Sequence, residues 1–214
     1  VPDPLVPNPD DLVVLVIGRL HNDRLGAYGE AILGVPCALG TRTGTFAVAL
    51  YLDRPSCIVG GREIWGWPKK DATLRLDMSR GIASAGATRD GVEIIRAEVE
   101  TTGPAGPTDL RLDPTWFNLK LIPSVTDGGP PDVMQLTETT FGNVGVREAR
   151  TGVACLGFAD TVADPLASLI PVCEVVGGVV LRLDFDLLDG VVVHDYRTTQ
   201  AASDRAAEAT GIPA

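Results

Sequence analysis

The stretch GGREIWGWPKKDATLRL, residues 60–76, changes character twice along its length. Its first part closes a segment, PSCIVGGREIWG (55–66), that reads as a short helix opened by Pro55, since proline's fixed φ suits the first helical position. Two tryptophans and a proline interrupt that run. From residue 72 the sequence ATLRLDM (72–78) alternates apolar and polar residues with period 2, the mark of a strand with one face buried. Helix, break and strand therefore follow one another within a few residues, and the break holds two adjacent lysines, Lys69 and Lys70. The chain has only three lysines against fifteen arginines, and only 5% aromatic residues. Adjacent lysines beside Trp65 and Trp67 suit a site that needs an amine. An exposed turn with two solvated lysines is the plain alternative.

Outward from this stretch the chain reads as short β segments punctuated by Gly and Pro. LVVLVI (12–17), EAILGVPCAL (30–39) and GTFAVALYLD (44–53) are rich in branched and apolar residues. GVEIIRAEVE (91–100) and FNLKLIP (117–123) continue the theme. In CEVVGGVVLRLDFDLLDGVVVHDY (173–196), strands are expected around a hairpin turn at Gly177-Gly178 and a second turn at Asp189-Gly190. A second short helix is expected at DPLASLI (164–170). The Ala-rich end from Thr198 reads as a helix or a frayed tail. No linker and no internal repeat divides the 214 residues, so one mainly antiparallel β domain with a few helices is expected across 1–214.

The totals narrow the function. Apolar residues make up 45% and charged residues 21%, as in a folded globular protein. A net charge of -10 argues against nucleic acid as a partner, because a phosphate-binding surface needs clustered Lys and Arg. The start, VPDPLVPNPDD, has neither a basic region nor an apolar core, and no apolar run is long enough to span a bilayer. A cytoplasmic protein without membrane contact is the expectation. The cysteines Cys37, Cys57, Cys155 and Cys173 are scattered, and reduced packing cysteines are expected. His21 and His194 are far apart and lack metal-ligand spacing. There is no G-x-G-x-x-G, no phosphate-binding loop and no G-x-S-x-G elbow, so no metal or other cofactor is expected.

An amine is a useful catalyst because it condenses with a ketone to an iminium, which stabilises a carbanion formed beside it. The obstacle is protonation. An unperturbed lysine has a pKa of about 10.4, and lowering it to about 7 requires roughly 4 to 5 kcal/mol. A second ammonium about 6 Å away supplies roughly 3 kcal/mol at an effective dielectric of about 20. Burial shifts a lysine by roughly 3 to 5 units. In an extended segment neighbouring side chains point to opposite faces, so Lys70 aims away from Lys69 and desolvation is expected to dominate. Pro68 fixes one backbone angle before the amine.

The full string at 60–76 resembles the signature of the acetoacetate decarboxylase family, a G-R-E-x-x-x-x-P-K-K segment carrying a Schiff-base lysine. That enzyme is itself the standing example of a lysine activated by a lowered pKa. The resemblance runs along the chain: VPDPL at the start, RLGAYGEAILGVPC (24–37), FNLKLIPSVTDGGPPDVMQL (117–136), RTGVACLGF (150–158) and VVVHDY (191–196) each resemble family segments in order. It implies an α+β fold, mainly antiparallel β, with a barrel-like β core and a few flanking helices. It also implies homo-oligomeric assembly and a small-molecule keto-acid substrate. By position, Lys69 resembles the Schiff-base lysine, Lys70 its neighbour and Glu30 a pocket glutamate that orients groups or moves protons. Trp65, Trp67 and Tyr28 are assigned to the substrate pocket. Arg62 and Glu63 are read as structural, an ion pair holding the segment, and Lys120 as a strand-face or subunit-contact residue.

Two departures from the family pattern stand out. A second glutamate is usual fifteen residues before the one resembled by Glu30, and here that register falls on Leu15. The family also has an N-terminal segment with an active-site arginine, which this sequence does not include. The expected activity is a cofactor-independent carbon-carbon lyase that decarboxylates a β-keto acid or related oxo acid through a Lys69 iminium. The alternatives are an aldolase, dehydratase or cyclase of specialised metabolism using the same lysine, or a non-catalytic small-molecule-binding homologue.

Overall fold

A computed structural model describes residues 1–9, 12–106, 108–110 and 113–198. The C-terminal expectation from Thr198 onward therefore falls almost wholly outside the described residues. The strands in chain order are β1 (Val6–Pro7), β2 (Val14–Asn22), β3 (Gly26–Leu39), β4 (Arg42–Leu52), β5 (Lys69–Asp71), β6 (Thr73–Ser79), β7 (Ile82–Arg89), β8 (Val92–Pro104), β9 (Thr115–Ile122), β10 (Val133–Phe158), β11 (Gly178–Leu187) and β12 (Val191–Asp195). Helix α1 (Pro55–Gly60) continues into a π-helical turn (Gly61–Trp65), and α2 (Leu166–Leu169) is a single turn. No helix among the described residues is long and apolar enough to cross a membrane. The antiparallel β core with few helices is as the sequence led one to expect.

The hydrogen-bonded path runs β1-β3-β4-β9-β10-β8-β7-β6, with β2 on β3, β5 on β4, and β11 and β12 on β10. Most pairs are antiparallel; β4 pairs in parallel with both β5 and β9. The path does not close: β6 packs against β3 without joining its ladder. Strand β10 is the hinge of the architecture. Its first part lies between β9 and β12, and its later part pairs with β8 and β11, with register shifts along the way. Such bulges bend a strand and let it serve two sheet regions.

Burial separates into faces because side chains alternate along strands. Ala31, Leu33, Ala49, Tyr51, Leu74, Ala87, Ile94 and Ile95 form one cluster, closed by Leu166 of α2. Ile32, Ala47, Leu50, Leu52, Cys57, Trp67 and Trp116 form a second, between β3, β4, β9 and the helical segment. A bulge around Val48, opposite Leu33 and Gly34, switches the alternation within β4. Each fully buried large side chain in these clusters contributes about 1.5–3 kcal/mol of transfer free energy.

Three expectations fail. Residues 171–177 form no strand, so Gly177-Gly178 is not a hairpin turn. Gly178 instead opens β11 opposite Gly152, where an added Cβ would lie 2.6 Å from Val99 and 2.9 Å from Ala154. Asp189-Gly190 lies in a connection with no assigned turn, and the two strands it joins both run along β10 rather than pairing with each other. Of the four cysteines, all free, only Cys37 and Cys57 are packing residues; Cys155 and Cys173 are exposed, the former because strand alternation turns it outward.

Candidate active site

The helical segment aims the lysine strand. Pro55 stands at the start of α1, as read from the sequence, and the helix widens into the π-turn at Gly61. Gly66 ends it with φ +79°, a left-handed conformation that favours glycine. Its N–H donates to the Arg62 carbonyl at 3.1 Å, and the Trp67 N–H to the Gly61 carbonyl at 3.2 Å. A Cβ on Gly66 would also lie 2.6 Å from the Lys120 backbone, so the position is closed to other residues twice over. Two side chains complete the cap. Lys120 Nζ donates to the Ile64 carbonyl at 3.3 Å, and Thr137 Oγ1 donates to the Trp65 carbonyl at 2.5 Å. Lys120 is therefore a helix-end cap reaching across from β9.

Trp67 is buried, 5.9 Å from the Trp116 ring and stacked on Phe141 at 6.4 Å. From this anchor a three-residue turn centred on Pro68 brings the Lys69 N–H to the Trp67 carbonyl at 2.7 Å. The chain then enters β5 in parallel with β4, Lys69 beside Leu50, Lys70 beside Tyr51 and Asp71 beside Leu52. Leu50 belongs to the second cluster and Tyr51 to the first, so the two lysines leave the strand on opposite faces.

Lys69 meets Glu30. Its Nζ lies 3.3 Å from Glu30 Oε2, with the two side chains only 11% and 17% exposed. The lysine's far end rests on Gly61, where an added Cβ would lie 2.5 Å from Cδ, 2.6 Å from Cε and 3.1 Å from Nζ. Gly61 is in ordinary helical conformation, so the missing side chain there serves the lysine and not the backbone. Tyr28, two residues before Glu30, shares its face of β3 and packs on the second cluster with Trp65. Burial, with the charges of Glu30 and Cys57 adding to it, raises the Tyr28 phenol far above its ordinary value, so it stays protonated.

Lys70 enters a different environment. Its ammonium is hydrogen-bonded to Asp164 Oδ1, and the Tyr51 hydroxyl donates to the same oxygen at 2.8 Å. Arg89 Nε forms an ion pair with Asp164 Oδ2 at 2.6 Å, out of line for a hydrogen bond. Asp164 itself is 1% exposed. Its burial pushes the carboxyl pKa up, but the hydrogen bonds from Lys70 and Tyr51 and the charges of Lys70 and Arg89 outweigh that, so the net shift is downward.

The sequence-derived residues thus separate. Lys69 and Glu30 come together, with Trp67, Trp65 and Tyr28 on the adjoining apolar cluster. Lys70 lies on the other face. Arg62 and Glu63 are both exposed, and no ion pair joins them; the π-turn directs them to solvent, so they do not hold the segment as expected. Leu15 lies opposite Leu33 and packs on the first cluster, away from Glu30. The β2 residues on the Glu30 side are Val14, Val16, Gly18, Leu20 and Asn22, none of them acidic. Gly61 and Asp164 were not singled out from the sequence. The doubled glycine at 60–61 was a signal available for the first; nothing local marks the second.

Comparison with known proteins places the chain in a family and a fold. The family model described as Acetoacetate decarboxylase (ADC) matches residues 1–197. The acetoacetate decarboxylase of Ralstonia nicotianae is 35% identical over 92% of this chain and 80% of its own length. Acetoacetate decarboxylase 2 of Mesorhizobium japonicum is 32% identical over 92% and 75%. Among solved structures, the acetoacetate decarboxylase from Legionella pneumophila superposes with TM-score 0.84 at 27% identity, covering 92% of this chain and 79% of that one. The enduracididine biosynthesis enzyme MppR, solved in complex with pyruvate, shares the fold with TM-score 0.77 at 18% identity, over 92% and 82%. With a family model matching residues 1–197 and relatives 30–35% identical over most of both chains, this chain belongs to the acetoacetate decarboxylase family.

Proposed function

We propose that the protein is a cofactor-independent lyase that forms a Schiff base between Lys69 and a β-keto acid or related oxo acid, and decarboxylates it. The observation that carries this reading is the Lys69 Nζ–Glu30 Oε2 contact at 3.3 Å, in a site where both side chains are nearly withdrawn from water. An ammonium has no lone pair, so the first need is a proton acceptor, and Glu30 is within reach of the amine's proton. The neutral amine attacks the ketone carbon. Glu30 then returns the proton to the carbinolamine oxygen, which leaves as water and gives the iminium. The bond to the carboxylate breaks next. Its electron pair flows into the iminium, releasing CO2 and leaving an enamine. Protonation of the enamine carbon and hydrolysis release the ketone and the free amine. The apolar cluster beneath the site, Leu50, Leu52 and Trp67, favours the loss of charge when the carboxylate departs as CO2.

The same iminium also serves aldol-type condensation or dehydration. That second reading is favoured by one observation: β2 offers Val14, Val16, Gly18, Leu20 and Asn22, and no carboxylate, to the Glu30 side. The names carried by the 30–35% identical relatives support decarboxylation as the first reading.

Incubation with acetoacetate and borohydride tests the shared step. The expected result is a stable mass gain at Lys69 in the native protein and none in Lys69→Met. An adduct on Lys70 or Lys120 in place of Lys69, or no adduct at all, would overturn the proposal. Measured CO2 release from acetoacetate, against aldehyde-dependent product formation from pyruvate, separates the two reactions.

A further inference from the structure

Strand β5 has three residues and pairs with β4 alone. So short a parallel ladder holds few backbone hydrogen bonds, yet it must present Lys69 to Glu30 and not to the opposite face. A rotation of the strand by one residue would exchange the two lysines. What stands on the other side of β5 is a buried carboxylate with more partners than its own burial requires. Asp164 receives Lys70 from β5, Tyr51 from β4 and Arg89 from β7. Arg89 also reaches β5 directly, donating from Nη1 to the Asp71 carbonyl at 2.6 Å and lying 3.3 Å from Asp71 Oδ1. Asp164 is held in turn from its own loop, its N–H donating to Thr161 Oγ1 at 3.0 Å. Near it, Asp160 accepts from the Ser168 N–H and hydroxyl at 3.0 and 2.5 Å.

We propose that Asp164 is a positioning residue for Lys69: through Lys70 and Arg89 it locks β5 to β4 and β7 in the one register that turns the Lys69 amine toward Glu30. The proposal rests on the Schiff-base reading above. Lys70 is then a tether rather than a modifier of its neighbour's charge. Its ammonium is matched by a carboxylate on its own side of the strand and is turned away from the Lys69 site. A side-chain pair that only stabilised the fold would have no reason to concentrate on the three residues that carry the lysine.

The test measures borohydride trapping of acetoacetate at Lys69, at several acetoacetate concentrations, in the native protein, Asp164→Asn, Lys70→Met and Lys70→Arg. Arg75→Ala, which breaks an exposed pair with Glu93 on the neighbouring strands, is the control. All are compared well below their unfolding temperatures. Asp164→Asn and Lys70→Met are expected to lower the saturating trapping rate roughly ten- to a hundred-fold, the scale of an ångström-sized misplacement, with little change in half-saturation. Lys70→Arg, which keeps a cation for Asp164, recovers most of the rate lost in Lys70→Met. Amide exchange at Lys69, Lys70 and Asp71 speeds up in Asp164→Asn and not in Arg75→Ala. Lys70→Met, at a side chain 41% exposed, carries the test whether or not Asp164→Asn folds. An unchanged saturating rate in Lys70→Met overturns the proposal, as does a loss that Lys70→Arg does not recover. A native protein that traps no adduct at Lys69 overturns instead the Schiff-base reading on which the proposal stands.

Discussion

Lys69 and Lys70 are neighbours in the chain, of one residue type, on one three-residue strand, and their surroundings have almost nothing in common. Lys69 faces an apolar cluster, a glycine and a single carboxylate at 3.3 Å, with no other charged group bonded to it. Lys70 faces a buried aspartate shared with an arginine and a tyrosine. The first environment leaves the amine a single charged partner, the Glu30 carboxylate. The second ties the amine to a buried carboxylate, and nucleophilic attack would mean breaking that ion pair. Surroundings here are a property of the strand face, and adjacent identical residues are separated in environment by the period-2 geometry of a β-strand.

That contrast can be broken from the Lys69 side with the largest effect. Glu30→Gln keeps the shape of the partner and removes its ability to accept a proton. The saturating rate of imine trapping is expected to fall roughly 10²- to 10⁴-fold, the range for loss of a general acid–base, while any adduct that forms still maps to Lys69. Trapping at the native rate would mean that Glu30 handles no proton.

A smaller and more discriminating effect is expected from Gly61→Ala. The new Cβ would occupy the space of Lys69 Cδ and Cε, so the flexible lysine must move off its resting place. Trapping should slow roughly ten- to a hundred-fold. Because Gly61 already has helical φ and ψ of -63° and -41°, the fold should gain up to about 1 kcal/mol from helix propensity. Activity and stability would then move in opposite directions, which chemical denaturation and trapping kinetics on the same samples would reveal.

The smallest effect concerns the Lys70 side and its dependence on pH. The Asp164 carboxyl has a folded pKa below its ordinary 3.8, so its contribution to stability is complete above that value. It is lost as pH falls through the lower folded value. Unfolding curves between neutral pH and about pH 3 should therefore show a steeper acid loss in the native protein than in Asp164→Asn. Equal slopes would mean that the network adds no net stability through this carboxylate.

Much of the architecture could be read before the structure, where a pattern was local. The alternation at 72–78 became β6, Pro55 opened a helix, the apolar run at 30–39 falls within β3, and those at 12–17 and 44–53 overlap β2 and β4. The opposite aim of Lys69 and Lys70 followed from strand geometry alone. The failures have a common cause, because they concern pairing at a distance. Val175 and Val176 have the composition of a strand but no strand beside them. The 26 residues of β10 carry four glycines, three of them at register shifts that the strand absorbs, and local reading takes such glycines for breaks. Counting fifteen residues back from Glu30 lands on Leu15, yet the β2–β3 register turns that side chain toward the other cluster.

By itself the sequence determined the family and the strand-rich class, and it singled out the adjacent lysines at 69 and 70. These rest on residue type and short-range spacing, which survive in one dimension. Only the tertiary structure decided that Gly61 makes room for the amine and that Asp164, 94 residues beyond Lys70, takes the second lysine away. A carboxylate buried among two cations and a phenol has no signature in its own neighbourhood of the chain. Its partners come from β4, β5 and β7, and only folding brings them to one point.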